Sequence, residues 1–365
     1  MRKIIKKSFH NIKVNDILAE DVVNENGVLL ACRGTIVTSS IMALLVSQSD
    51  RTYSVLVDYK PRSKKARREE REEKKYEKLV DRAEEKEKLV LSKVVKERVA
   101  QGVEYIYTNA DSEKAISEAA EITDSLLQSI NRKTSVRMSL MDLKVSDEYT
   151  FKHSVDVATM AIMLGKQLKL SGEDLQLLGM AGILHDIGKT KIANSILNKP
   201  GKLTDEEFAT MKMHTVYGYN MLQDKKIEDR VKKAVLHHHE RMDGTGYPLG
   251  LAGDEIGIFA KILTVVDVFD ALVTERPYHK AFTPATALEM LMTKTMHFDM
   301  DVLKAFLDTI ILYPVGTIVN LSNGERAKVI KNIQSYPQRP VVVELKHGHI
   351  YDLCNDVNCA NIIIV

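Results

Sequence analysis

The sequence has little cysteine, almost no net charge and no long apolar run, and each shortage excludes a class of protein. Only Cys32, Cys354 and Cys359 are present in 365 residues. That is too few for a disulfide-stapled scaffold, and their spacing matches no zinc-binding pattern, so a reducing compartment is the default. Lys plus Arg number 52 against 50 Asp plus Glu, a formal charge of +2. A chain that coats a nucleic acid polymer by bulk charge would be strongly basic, so any anion bound here has to meet local groups. No apolar stretch reaches the roughly 18 residues of a membrane span. The start, MRKIIKKSFHNIKVN, is basic without an apolar core, so no secretory leader is expected. The expectation is a cytoplasmic protein with neither membrane nor nucleic acid polymer as partner. Hydrophobic residues at 44% and charged residues at 28% exclude wholesale disorder. At roughly 150 residues per domain the length predicts two or three domains.

The patterning divides the chain into 1–58, 59–109, 110–312 and 313–365. The first stretch mixes β-branched runs with turn signals, and Asn26-Gly27 between apolar stretches marks a hairpin. It reads as a small α/β or mostly β module in which His10 and Cys32 have no evident chemistry. Residues 62–88 are dominated by charges of both signs interleaved at helical spacing, which predicts a solvated helix or flexible spacer. From 110 to 312 the period is helical. Thr204 and Glu207 form a capping box opening a helix that runs through Phe208 and Met211 to His214. Val231, Ala234, Val235 and His238 make one stripe, and FAKILTVVDVFDALV is apolar almost all round, as a central helix would be. After Tyr313-Pro314 the period becomes two, with turns at Ser322-Asn323-Gly324 and His347-Gly348. The fold class expected is mainly α: a helical bundle with a small β-containing module before it and a small antiparallel β unit after it.

The unusual chemistry lies between 153 and 280. His153, His185-Asp186, His214, His238-His239 and Asp267 each fall on or at the end of a separate expected helix. Antiparallel neighbours can bring such groups to one level of a bundle core, where metal sites are built from facing helices. Taken singly, His153 reads more readily as a hydrogen-bonded core residue than as a ligand, and Asp186 as a cap for the turn at Gly188. Asp267 inside TVVDVF is harder to dismiss, because an unpaired buried carboxylate costs several kcal/mol. Imidazole and carboxylate without thiolate suit iron, manganese, zinc or nickel better than a structural zinc site. A carboxylate adjoining a histidine can bridge two cations, and paired metals about 3.5–4 Å apart are a common device for phosphate ester hydrolysis.

In order, these residues read His153; His185-Asp186-Ile187-Gly188-Lys189; His214; His238-His239-Glu240; Asp243-Gly244-Thr245-Gly246-Tyr247-Pro248; Asp267-Val268-Phe269-Asp270-Ala271; Arg276-Pro277-Tyr278. The run, over about 145–290, resembles the HD-GYP subgroup of the HD phosphohydrolase superfamily. The resemblance implies an HD-type helical catalytic core and hydrolysis of cyclic di-GMP by an activated hydroxide, to linear pGpG and onward to GMP in some members. It implies two divalent ions, iron or manganese first, with nickel, cobalt, zinc or magnesium as alternatives. His153, His185, Asp186 and Asp267 would hold one, and Asp186 would bridge to a second held by His214, His238 and His239. Lys189 would steady developing charge and help the leaving 3′ oxygen; otherwise it is an exposed lysine near a helix end. Asp270, Arg276, Lys280 and Tyr247 would bind substrate, although an Asp270–Arg276 ion pair and simple packing of Tyr247 explain those residues too. The resemblance leaves room for protein partners at the DGTGYP loop or the N-terminal module, and for a homodimer.

Two departures stand out. Where some members carry a glutamate one turn before the first histidine, admitting a third metal, this chain has Tyr149. After the Arg-Pro-Tyr segment, where Arg or Lys is frequent, it has His279 and then Lys280. The alternatives to this reading are an HD-type hydrolase of another nucleotide and a catalytically silent cyclic di-GMP receptor or scaffold.

Overall fold

The computed structural model describes residues 2–8, 12–13, 16–23, 29–38, 41–42, 45, 52–58, 93–131, 138–139, 149–274 and 281–365. The charged run at 62–88, the Asn26-Gly27 turn, His10, Arg276 and Lys280 lie outside the described residues, as does the side chain of Tyr149. The chain forms two compact units, 1–73 and 74–365.

In the first unit β1 (Arg2–Ser8) and β2 (Ile17–Leu18) both pair antiparallel with β5 (Thr52–Asp58). A second pair, β3 (Val22–Val23) and β4 (Leu29–Ala31), is antiparallel and flanks the expected hairpin turn. Leu18, Val22, Val37, Leu45 and Val55 close a small core, as alternating apolar strands require.

The second unit begins with α1 (Lys93–Thr108) and α2 (Glu113–Asn131), followed by β6 (Met138–Ser139), α3 (Tyr149–Gln167) and α4 (Gly172–Leu184). Ser171 caps α4 by accepting from the Asp174 amide at 3.1 Å, with Glu173 and Asp174 in the first turn complementing the helix dipole. Helices α3 and α4 approach closely because Gly182 has no side chain: a Cβ there would sit 2.6 Å from Ala158 Cα. A 3-10 turn (Ile187–Lys191) leads to α5 (Asn194–Leu197), α6 (Asp205–Lys212) and α7 (His214–Gln223). The Thr204–Glu207 capping box is present, but the helix it opens ends at Lys212. Met213 caps it by a backbone bond to Thr210, and His214 starts the next helix rather than ending this one.

Then come α8 (Asp229–His237), α9 (Ile258–Val273), α10 (Pro284–Thr293) and α11 (Met300–Thr309). Helix α9 is buried along most of its length from Phe259 to Asp270 and runs through the main apolar core. The chain closes with β7 (Ile310–Ile311), parallel to β6, and a four-stranded antiparallel sheet. That sheet consists of β8 (Ile318–Asn320), β9 (Arg326–Lys331), β10 (Val341–Glu344) and β11 (Ile350–Asp352). Its hairpins turn at Gly324 and Gly348, whose φ values of +83° and +74° fall where only glycine is unstrained. It meets the helices where Ser335 Oγ bonds Asp308 at 2.5 Å and Gln338 bonds the Ala285 carbonyl. The mainly α core with small antiparallel sheets at both ends is the expected fold class. Among the described residues no helix is long and apolar enough to cross a membrane.

Candidate metal centre

The helices deliver their polar residues to one buried level. His153 lies in the first half of α3; His185 caps the C-terminus of α4, and Asp186 opens the following 3-10 turn. His214 is the first residue of α7, His238 the C-cap of α8, and Asp267 lies in the middle of α9. The 3-10 turn sits directly on α7, because a Cβ on Gly188 would overlap the His214 carbonyl oxygen and the Gly218 amide nitrogen. Asp186 makes no capping hydrogen bond, so turn formation does not account for it.

Two groups result. Ligating atoms of His153, His185 and Asp267 lie within 4.8 Å of one another, and so do those of Asp186, His214, His238 and His239. Asp186 faces both. Its Oδ2 is 3.3 Å from His185 Nε2 and 3.7 Å from His153 Nε2, and its Oδ1 is 3.4 Å from His214 Nε2 and 3.9 Å from His238 Nε2. His153 Nε2 is 3.0 Å from Asp267 Oδ1, and His239 Nδ1 is 3.7 Å from Asp267 Oδ2.

The rings are fixed from behind. The Nδ1 atoms of His185, His214 and His238 lie 2.8, 2.7 and 2.8 Å from the carbonyls of Gly182, Met211 and Val235. His153 Nδ1 instead meets Asp270 Oδ2 at 2.6 Å. A neutral imidazole donating from Nδ1 carries its lone pair on Nε2. Yet the Nε2 atoms of His153 and His185 are 3.3 Å apart, and those of His214 and His238 are 3.4 Å apart. Lone pairs so directed repel unless a proton or cation lies among them. Asp186 Oδ1 is moreover buried with no hydrogen-bond partner among the described residues, a costly condition for a carboxylate oxygen. Nitrogen and oxygen donors backed in this way fit a divalent cation.

The electrostatics of the two groups differ. Burial alone would raise the Asp186 pKa, but Lys189, His185 and His214 outweigh it and hold the carboxylate well below its ordinary range. Asp267 is likewise held low against its burial, by His153, His239 and His185. Burial would lower His153, but hydrogen bonds to Asp267 and Asp270 win and push it up to about 10. In the other group burial dominates: His214 falls to about 4 and His239 to about 3, and His238 lies well below its ordinary value. Three neutral imidazoles thus face Asp186 from one side, and a proton-holding His153 from the other.

Lys189 bonds Asp186 Oδ2 through Nζ, and its side chain keeps 26% exposure, so the ammonium links the buried carboxylate to solvent. The Tyr247 ring lies against His239, with centroids 4.7 Å apart and planes at 31°, and its amide donates to the His239 carbonyl. Burial, with Asp267 and Asp186 nearby, pushes its hydroxyl above the ordinary tyrosine value, so it stays protonated. Asp270 is buried behind His153, where Oδ2 also accepts from Thr274 Oγ1 at 3.3 Å. Arg276 and Lys280 lie outside the described residues.

Some residues that build the site were not singled out by sequence. The buried Glu240 carboxylate accepts from the amides of Leu249, Gly250 and Leu251 at 2.7, 3.1 and 3.0 Å, which fixes the loop after Tyr247-Pro248. It sits in the motif itself, and only its acceptor work was hidden. Thr264 Oγ1 donates to the His238 carbonyl at 2.8 Å. Tyr107, in the segment read as a linker, bonds Ser154 Oγ at 2.8 Å and the Ile183 carbonyl at 3.3 Å behind the histidines. No local pattern marks it.

Helical architecture and paired imidazole–carboxylate groups define the class to which comparison with known proteins also leads. The HD domain family profile matches residues 116–302. The chain belongs to the HD domain family, which bears out the motif resemblance at the level of family. A protein of Pseudomonas aeruginosa named cyclic di-GMP phosphodiesterase is 42% identical over 216 residues, covering 59% of this chain and 52% of that protein. A Vibrio cholerae protein named 3′3′-cGAMP-specific phosphodiesterase 3 is 40% identical over 153 residues, covering 42% of this chain and 33% of that one. The chain thus spans about half or less of the length of these curated relatives. A solved structure described as an HDGYP protein from Bdellovibrio bacteriovorus aligns over 84% of this chain and 98% of that one, at 19% identity and a TM-score of 0.45.

Proposed function

We propose that the protein is a metal-dependent phosphodiesterase that hydrolyses cyclic di-GMP to linear pGpG, with GMP as the end product if cleavage continues. The observation that carries the reading is the Asp186 carboxylate, whose two oxygens each address a separate imidazole group at 3.3–3.9 Å. The names of the relatives supply the substrate class. The site residues proposed as ligands are His153, His185, Asp186 and Asp267 for one ion and Asp186, His214, His238 and His239 for the other. Iron or manganese fits these nitrogen and oxygen donors, which include no thiolate. Bound divalent ions supply Lewis acidity, lowering the pKa of a water nucleophile and offsetting charge on the phosphoryl oxygens.

This chain's own groups do the rest. The carbonyls behind His185, His214 and His238, and the carboxylate behind His153, hold every Nε2 toward the centre, so no reorganisation is needed at the moment of reaction. Water gives up a proton to solvent as it attacks phosphorus in line, the bond from phosphorus to the 3′ oxygen breaks, and Lys189 Nζ gives that oxygen its proton. Lys189 suits this because it is tethered to Asp186 yet open to solvent for reprotonation. Tyr247, protonated and stacked on His239, borders the proposed ligands, and the Glu240-anchored loop follows it. In this reading 110–312 is the catalytic domain, with α1 from the 59–109 stretch packed into its core, and 1–58 and 313–365 are accessory modules, with the cytoplasm as the setting.

A second substrate reading, another 3′3′-cyclic dinucleotide, is favoured by the 40% identity to the Vibrio cholerae enzyme. Incubation of manganese- or iron-loaded protein with cyclic di-GMP and with 3′3′-cGAMP, followed by product chromatography, decides between them. Turnover of cyclic di-GMP that is lost in Asp186→Ala and Lys189→Ala is expected. Tight binding of cyclic di-GMP without product would make the chain a receptor and overturn the enzymatic reading.

A further inference from the structure

Next to the His214–His238–His239 group, Tyr247 is joined by two residues that the site as described does not use, Phe208 and Lys212. Phe208 on α6 is 48% exposed, a large apolar ring left open beside a polar centre. It meets the Tyr247 ring nearly edge-on, with centroids 6.4 Å apart and planes at 81°. Lys212, one helical turn further along the same face, holds its ammonium 5.3 Å from the Phe208 centroid and 5.9 Å from that of Tyr247. Tyr247 in turn packs on His239, and its ring centroid is 6.4 Å from that of His214. Two rings near a right angle and a lysine over both therefore border the proposed ligands directly.

We infer that Phe208, Tyr247 and Lys212 form a base-and-phosphate subsite that grips one purine nucleotide half of the substrate. The inference rests on the phosphodiesterase reading and extends it to these residues. Every nucleobase offers a π-face, and stacking on an aromatic side chain is the general means of holding one without reading its edge. A purine laid on Phe208 meets the Tyr247 ring edge to face, the favoured arrangement for a second aromatic contact. The Lys212 ammonium is held only by ring faces; among the described residues no carboxylate lies within ion-pair reach. It is free to turn to an incoming phosphate, a stronger partner than a ring face. Because the Tyr247 ring that Lys212 covers itself borders His214 and His239, a phosphate that Lys212 captures lies on that side of the centre. The competing account is that Phe208 merely covers Tyr247, in which case its loss would disturb the site without regard to bases.

The test compares binding of GMP and of ribose 5-phosphate to the manganese-loaded full chain by calorimetry, in the wild type and in Phe208→Ala, Phe208→Trp and Lys212→Met. The expected result is that Phe208→Ala weakens GMP at least tenfold and leaves ribose 5-phosphate unchanged. Phe208→Trp should restore GMP binding, and Lys212→Met should weaken both ligands alike. Equal affinity of the wild type for GMP and ribose 5-phosphate overturns the inference. So does an equal loss of both ligands in Phe208→Ala, or no binding of either. A wild type that binds GMP in the expected pattern but leaves cyclic di-GMP intact would overturn the enzymatic reading alone.

Discussion

His153 and His185 point their Nε2 atoms at one another across 3.3 Å, with each Nδ1 already committed, one to the Asp270 carboxylate and the other to the Gly182 carbonyl. In the metal-free protein a proton on His153 holds the arrangement, and a cation between the rings can take that proton's place. Manganese or ferrous iron should therefore stabilise the fold. At a hundredfold excess over Kd, a ligand that binds only the native state adds about 2.7 kcal/mol, which for a unit of this size raises Tm by about 4–5 °C. A thermal scan with and without metal and chelator checks it, and coincident curves would refute the assignment.

The protonation states predict how that binding responds to pH. His153 is raised to about 10 and holds a proton at neutrality that a metal has to displace, whereas His214, at about 4, and His239, at about 3, hold none. Affinity at the His153 group should rise with pH toward 10, with roughly one proton released at pH 7, visible in calorimetry as a heat that depends on the buffer. The metal-free fold carries the opposite trend. A raised folded-state pKa contributes stability in full below the unfolded value near 6.5, and that contribution is lost as pH climbs through 10. Chelated protein should lose stability between pH 7 and 10, and loaded protein should not.

Asp270 should act through His153. Asp270→Asn keeps an acceptor but removes the charge, and Asp270→Ala removes both. By analogy with other carboxylate–histidine–metal pairs, either change should cost about 10–100-fold in metal affinity. Competition with a chelating dye measures it. An unchanged affinity together with weaker nucleotide binding would instead make Asp270 a substrate contact.

Gly188 offers a steric test. A methyl group there overlaps the backbone of His214, so Gly188→Ala has to push α7 away from the 3-10 turn. Because the opposing atoms are backbone rather than a flexible side chain, the loss should resemble an overpacked core, about 1–3 kcal/mol. Denaturant unfolding and metal counting together read it, with stoichiometry falling before the fold is lost.

Much of this site was legible because its chemistry repeats at helix intervals. His153, the His185-Asp186 pair, His214, His238-His239 and Asp267 each stand at a helix end or on an apolar face, where a charge without a partner is expensive. The helical core, the Thr204 capping box and both C-terminal hairpin turns followed from local rules of the same kind. The break at Met213 did not, since Phe208, Met211 and His214 keep helical spacing across it, and the junction shows only in bonds the sequence does not display, from the Met213 amide to Thr210 and from His214 Nδ1 to the Met211 carbonyl. Asp270 could be read as a partner for Arg276 or a base because its sequence neighbours are in view and His153 is 117 residues away. Glu240 and Tyr107 contribute through tertiary hydrogen bonds, which leave no periodic trace.

Tyr107 carries a practical consequence. Its hydroxyl supports Ser154, the residue beside His153, while its own helix precedes residue 116, where the family match begins. Val99, Val103 and Ile106 of that helix are fully buried with it. Trimming the gene to the recognised domain would strip off one wall of the histidine chamber and lay an oily flank bare. A minimal fragment for biochemistry has to start upstream of Lys93.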